Sequence, residues 1–155
     1  IFACGCFWGA QYQFEHAKGV VRSTVGYIGG HKEHPAYEEV KAHTTGHAEA
    51  TLVEFDAEQT SFTELCKLFF EIHDPAQTDG QGPDIGPQYR SEIFYLNDKQ
   101  KEEAEAVIAL LKEKGYEVNT KLTPATTFWE GEEYHQHYYD KTGGEPYCHI
   151  RVKKF

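Results

Sequence analysis

The sequence predicts an α+β fold in which helices lie on one side of a sheet. Three observations carry this. Strand-like and helix-like patterns follow one another as β-α-β-β-α-β through residue 96. Ser61-Phe62-Thr63-Glu64 is a capping box that marks the start of the second helix. Glycines stand where periodic segments stop, at Gly19, Gly29-Gly30 and Gly115. The element order is that of a split βαβ, ferredoxin-like core, extended by an extra helix, an extra strand and an irregular C-terminal tail.

Residues 1–5 are apolar enough for a short buried strand. The chain opens at Ile1 in what reads as mid-strand, without an initiator Met, so a truncated N-terminus is expected. Residues 6–17 read as a helix with Phe7, Ala10, Phe14 and Ala17 on one face. Residues 20–28 alternate as a strand, with Val21, Val25 and Tyr27 sharing a face. A loop is expected over 31–46 and a strand over 47–55. If the Thr51, Val53 and Phe55 face of that strand is inward, Glu49 points inward too. The second helix shows Phe62, Leu65, Cys66, Phe69 and Ile72 on one face, which makes Cys66 a core residue. Residues 73–90 hold three Gly and three Pro without periodicity, a loop long enough to suggest function. A strand over 91–96 follows. Asn97 or Asp98 then caps a helix to about residue 114, with Ala104, Val107, Ile108 and Leu111 facing in. Tyr116, Val118, Thr120 and Leu122 alternate as a last strand. From 123 the chain is irregular and aromatic-rich, with Gly143-Gly144 ahead of Tyr147-Cys148.

A length of 155 residues, 39% hydrophobic and 26% charged, fits one globular domain over 1–155. The net charge of −10 argues against nucleic acid or an anionic membrane as partner. No apolar stretch approaches a membrane-spanning length. Four cysteines, Cys4, Cys6, Cys66 and Cys148, are too few for a disulfide scaffold.

The chemistry gathers at Gly5-Cys6-Phe7-Trp8-Gly9. Cys6 falls where a strand turns into a helix start, and the helix N–H groups and dipole there favour a thiolate. Gly5 and Gly9 allow a tight turn and the close approach of a substrate. A reactive cysteine needs a partner, and three classes stay open. A histidine base would make a cysteine hydrolase or acyltransferase; nine histidines are available, none singled out by position. A resolving cysteine would make a redox enzyme, and Cys148, behind a Gly-Gly pair, fits a tail that delivers it. Zinc held by some of Cys4, Cys6, Cys148, His135, His137 and His149 would make a metal-stabilised binding domain, but the spacing is poor and no C-x-x-C is present. His135-Gln136-His137 reads as a surface or pocket-rim pair. Glu49 sits at a loop-to-strand junction; desolvated there, it would keep its proton near neutral pH and serve as a general acid. Tyr37 and Tyr89 offer phenolic donors in the two long loops. Asp84, in Gly82-Pro83-Asp84-Ile85-Gly86, reads as a turn residue.

Several segments, in order along nearly the whole chain, resemble the peptide methionine sulfoxide reductase A family. They are the Gly5–Gly9 pentapeptide, Gly26-Tyr27-Ile28-Gly29-Gly30, Pro35-Ala36-Tyr37-Glu38-Glu39-Val40, Thr45-Gly46-His47-Ala48-Glu49-Ala50, His73-Asp74-Pro75, Asp84-Ile85-Gly86-Pro87-Gln88-Tyr89-Arg90-Ser91 and Tyr134-His135-Gln136. The resemblance implies a two-layer α+β sandwich and reduction of methionine-S-sulfoxide, free or in proteins. It makes Cys6 the nucleophile and Phe7 and Trp8 the wall around the substrate methyl. Glu49 becomes the acid that protonates the sulfoxide oxygen, Tyr37 and Tyr89 the hydroxyls that hold it, and Asp84 a supporting carboxylate. Methionine leaves, Cys6 is left as a sulfenic acid, and Cys148 closes a disulfide that thioredoxin reduces. Neither a cofactor nor a metal is implied. A monomer in the cytoplasm is expected, with a periplasmic location or a fused domain left open. The chain departs from the pattern in three ways. It lacks the further cysteine that some members carry beyond the recycling one. Gln11 and Lys41 stand where relatives often have Glu and Cys. Cys4 is unusual and could form an off-pathway disulfide with Cys6.

Overall fold

The computed structural model describes residues 1–144, 146 and 149–155. The chain runs β1 (Phe2–Cys4), α1 (Phe7–Glu15), β2 (Val20–Ile28), α2 (Tyr37–Lys41), β3 (Ala48–Phe55) and α3 (Phe62–Glu71). It continues through β4 (Gly80–Gln81), β5 (Asp84–Ile85), β6 (Ser91–Tyr95), α4 (Asp98–Glu113), β7 (Lys121–Pro124), β8 (Trp129–Glu130) and α5 (Tyr138–Thr142). Short 3-10 turns lie at Pro87–Tyr89 and Glu133–His135. This is a mixed α/β fold on a six-stranded sheet of order β7-β6-β1-β3-β2-β8; β4 and β5 form a separate small hairpin. All neighbours in the large sheet are antiparallel except β6 and β7.

Strand alternation sorts side chains onto two faces. Phe2, Cys4 and Ile93 join Phe14, Leu65, Phe69, Val107 and Leu111 of α1, α3 and α4 in the main core. The opposite side chains, Ile1, Ala3, Ala48, Ala50 and Phe94, form a second layer closed by Ala125 and Phe128. Val53 and Phe55 of β3 face the helices. Alternation therefore puts Glu49 on the helix side, at the strand end nearest the start of α1.

The caps follow the sequence. Ser61 Oγ accepts from Glu64 N at 3.2 Å, and Asn97 Oδ1 accepts from Gln100 N at 2.9 Å. Three expectations need correction. Val21 does not share the buried face of Val25 and Tyr27. A register shift between Val20 and Arg22 turns it out to 69% exposure. The 31–46 loop contains α2, whose start is secured by Glu39 Oε1 accepting from Ala36 N. The strand expected over 116–122 starts at Lys121 as β7, because Asn119 is committed elsewhere, its N–H and side-chain amide donating to Pro75 O and Ala76 O. Nor is it the last, since the stretch expected to be irregular carries β8, paired to β2, and α5.

Candidate active site

The Gly5–Gly9 segment is the hinge between β1 and α1. Cys6 is the N-cap residue of α1 and is 9% exposed. Gly5 takes φ +98, which a side chain rarely adopts. The space beside both glycines is filled by the protein itself. A Cβ on Gly5 would strike Gln81, and one on Gly9 would strike the His149 ring. The expectation that these glycines admit substrate is thus corrected: they admit β4 and the C-terminal segment.

Glu49 reaches the start of α1 from below. Its Oε1 accepts from Phe7 N at 3.2 Å, while Oε2 is buried and meets no hydrogen-bond partner among the described residues. The residue is 1% exposed. Burial pushes its pKa from 4.5 up to about 8; the Phe7 N–H opposes this and the Asp84 carboxylate adds to it. At neutral pH Glu49 is a carboxylic acid with a proton to give.

The two phenols stand around it. Tyr37 and Tyr89 are half-buried. Burial first, then the Glu49 carboxyl, pushes the pKa of each well above its ordinary value, and Cys6 contributes to both. Both therefore stay O–H donors. Tyr37 enters through α2, where its N–H donates to Glu132 Oε2 while Tyr27 Oη donates to Glu132 Oε1. Tyr89 closes the 3-10 turn after β5. Arg90 secures that turn by donating to Pro87 O and Gly46 O, which ties it to the loop ahead of Glu49. Asp84, in β5 opposite Gln81, acts electrostatically on Glu49 and Tyr89.

Phe7 and Trp8 lead into an aromatic cluster. Phe7 packs with Val25, Tyr27 and Val40 as core, and its ring also lies 6.3 Å from Tyr37 and 5.1 Å from His135. Trp8 is partly exposed and stacks on Tyr138 at 3.9 Å and 9°. Its Nε1–H donates to His135 Nδ1 at 2.9 Å. An indole can only donate, so His135 carries its proton on Nε2, which is buried and meets no partner among the described residues. Burial lowers the His135 pKa, which keeps the ring neutral. His135 is thus not a surface or rim residue, as its sequence suggested, but the floor of the aromatic cluster. Sequence reasoning also missed Tyr138 and Glu132. The Tyr134-His135-Gln136 motif was the available signal.

Cys66 is core, as expected, and burial pushes its thiol pKa up. Cys4 joins the same core. Cys148 lies outside the described residues. The zinc set does not gather among the described residues; the trio with ligand atoms in mutual reach is Glu15, His16 and Asp140, at or near the surface.

A cysteine at a helix start, a neutral buried carboxyl and two phenols form a site for thiol attack coupled to protonation of an oxygen. Residues 1–155 match the family described as peptide methionine sulfoxide reductase. Among similar proteins is peptide methionine sulfoxide reductase MsrA of Acinetobacter baumannii strain AYE, 44% identical over 152 residues, covering 98% of this chain and 88% of that one. Another is MsrA of Geobacter sulfurreducens, 47% identical over 146 residues, covering 92% and 90%. The crystal structure of reduced Mxr1 from Saccharomyces cerevisiae superimposes with a TM-score of 0.90 at 33% identity, over 97% of this chain and 89% of that one. The chain belongs to the peptide methionine sulfoxide reductase family.

Proposed function

We propose that this chain reduces methionine-S-sulfoxide, free or in proteins, to methionine, using its own thiols as the electron source. The observation that carries the chemistry is Glu49, a carboxyl held neutral beside the helix that Cys6 begins. Sulfoxide sulfur is a weak electrophile until its oxygen is protonated. Glu49 donates that proton, and the Tyr37 and Tyr89 hydroxyls hold the oxygen by hydrogen bonds. Asp84 supports the field that keeps Glu49 protonated. Phe7 and Trp8 shape the wall for the substrate methyl, and the Trp8–His135 hydrogen bond supports that reading.

The Cys6 thiolate attacks sulfur. An S–S bond to methionine forms as the protonated S–O bond breaks and its oxygen leaves as water. A second water then attacks the Cys6 sulfur, that S–S bond breaks, methionine leaves with its electron pair, and Cys6 is left as a sulfenic acid. Cys148 then attacks the Cys6 sulfur. An S–S bond forms, the S–O bond breaks, and hydroxide leaves with a proton as water. Thioredoxin, a dithiol, exchanges with this disulfide and restores both thiols.

Three wider readings go with this. The chain is one domain over 1–155 with a ferredoxin-like core; the order β6-β1-β3-β2, antiparallel throughout, supports it. It acts as a monomer. It works in the cytoplasm, where reduced thioredoxin is maintained; no helix is long and apolar enough to cross a membrane among the described residues.

The test is turnover of the two dabsyl-methionine sulfoxide epimers with dithiothreitol. We expect reduction of the S epimer alone and complete loss in Cys6→Ser. Activity surviving Cys6→Ser, or turnover of the R epimer, refutes the proposal.

A further inference from the structure

The last residue of α3 is a carboxylate in an adverse place. Glu71 is 3% exposed and sits at a helix C-terminus, where the dipole disfavours negative charge. Nothing in α3 calls for it. Its partners come from the end of the chain. Oε1 accepts from Arg151 Nε at 3.0 Å and Nη2 at 2.8 Å, and Oε2 accepts from Lys154 N at 2.9 Å. The Glu71 carbonyl accepts from Val152 N at 2.8 Å, and Lys154 Nζ donates to Phe70 O at 2.6 Å. The Arg151 side chain is 58% exposed but the carboxylate it pairs is 3% exposed, so loss of Arg151 leaves a buried charge short of its partner. The backbone donors of 152 and 154 complete the clamp.

Upstream, the same segment is seated against the cysteine loop. His149 is fully buried. Its Nε2 donates to Cys4 O at 2.7 Å, and its carbonyl accepts from Gln13 Nε2 at 2.5 Å. Its ring occupies the space that Gly9 leaves open. The chain is thus held at α5, which ends at Thr142, and again from His149 onward. Six residues, 143–148, connect the two anchors.

We propose that Glu71 is a positioning residue for the disulfide-forming half of the reaction. By fastening 151–154 to the end of α3 it keeps His149 seated beside Gly5 and Gly9. Cys148 directly precedes His149 in the sequence, and residues 143–148 lie between two tethered ends. Such tethering raises the effective concentration of one thiol at the other sulfur. The chemistry is the step given above: Cys148 thiolate displaces hydroxide from the Cys6 sulfenic acid. This inference rests on the proposed roles of Cys6 and Cys148.

The experiment gives full-length wild type, Glu71→Gln and Arg151→Ala one equivalent of S-sulfoxide, with dimedone present to trap sulfenic acid. Methionine, Cys6–Cys148 disulfide and dimedone adduct are measured over time. We expect equal rates of methionine formation in all three proteins. Disulfide closure should slow about tenfold or more in both variants, as a fixed reactant becomes one on a flexible tether. Dimedone adduct should rise accordingly, and thioredoxin-driven turnover should fall further than dithiothreitol-driven turnover. Arg151→Ala alters a mostly exposed side chain, so it tests the clamp even where Glu71→Gln unfolds. Closure at the wild-type rate in Arg151→Ala, or equal slowing of both half-reactions, overturns the role of Glu71. Methionine formation by wild type with no Cys6–Cys148 disulfide overturns the recycling scheme, and the clamp with it.

Discussion

Glu49→Gln separates a carboxyl held neutral from one that is merely near the cysteine. Glu49 in the folded chain binds its proton with a pKa of about 8, against 4.5 for an ordinary carboxyl. The folded state therefore holds more protons than the unfolded state between these values. Glu49's favourable share of stability is complete below pH 4.5 and is lost as pH climbs toward 8. At about 1.4 kcal/mol per pKa unit, the loss is roughly 1 kcal/mol at pH 5, roughly 3 at pH 7 and approaches roughly 5 above pH 9. Glutamine keeps the acceptor for Phe7 N and cannot ionise, so it escapes this loss. It does place an amide N–H₂ where Oε2 now lies, a pH-independent cost of about 1–3 kcal/mol. Urea unfolding of both proteins at pH 5, 7 and 9 reads the difference. The variant should gain on wild type steadily with pH, by on the order of 4 kcal/mol across that range. Methionine formation in a single turnover should fall by about 10²-fold or more in the variant at pH 6, and wild type should lose this advantage above pH 8 as Glu49 ionises. A stability difference that stays flat from pH 5 to 9 refutes the neutral carboxyl. A variant as fast as wild type at pH 6 refutes Glu49 as the acid.

Three further substitutions test neighbouring parts of the site. Tyr37→Phe and Tyr89→Phe remove one O–H donor each; each should slow single-turnover methionine formation about tenfold, and the pair should lose more than either alone, whereas wild-type rates in the double variant remove the phenols from the mechanism. Gly9→Ala puts a methyl into the His149 ring and should lower stability by about 1–3 kcal/mol in thermal or urea unfolding; an unchanged midpoint shows that the C-terminal segment is not packed there.

Local patterns in the sequence determined a good deal of this protein. The Ser61 cap and the Asn97 cap each depend on residues a few positions apart, and each is found in place. The cysteine proposed as nucleophile was legible too, because a cysteine between glycines at a strand-to-helix junction is a local feature. Where local pattern failed, long-range partners decided. Residues 116–120 alternate like a strand, but Asn119 bonds to Pro75 and Ala76, and only 121–124 reach the edge of β6. The five residues of α2 are too few to show a helical period.

The site divides in the same way. Residue types and motif order nominated Cys6, Glu49, Tyr37, Tyr89 and Asp84. Tertiary structure decided the state of Glu49, since desolvation follows from burial under α1 and no neighbour in sequence supplies it. It moved His135 from the rim to the floor through a bond to Trp8 that spans 127 residues. It also gave the glycines around Cys6 to Gln81 and His149 and left the end of the chain tied to Glu71. A sequence displays chemistry and local propensity. Which groups lose their water, and which distant partners replace it, is fixed only when the chain closes on itself.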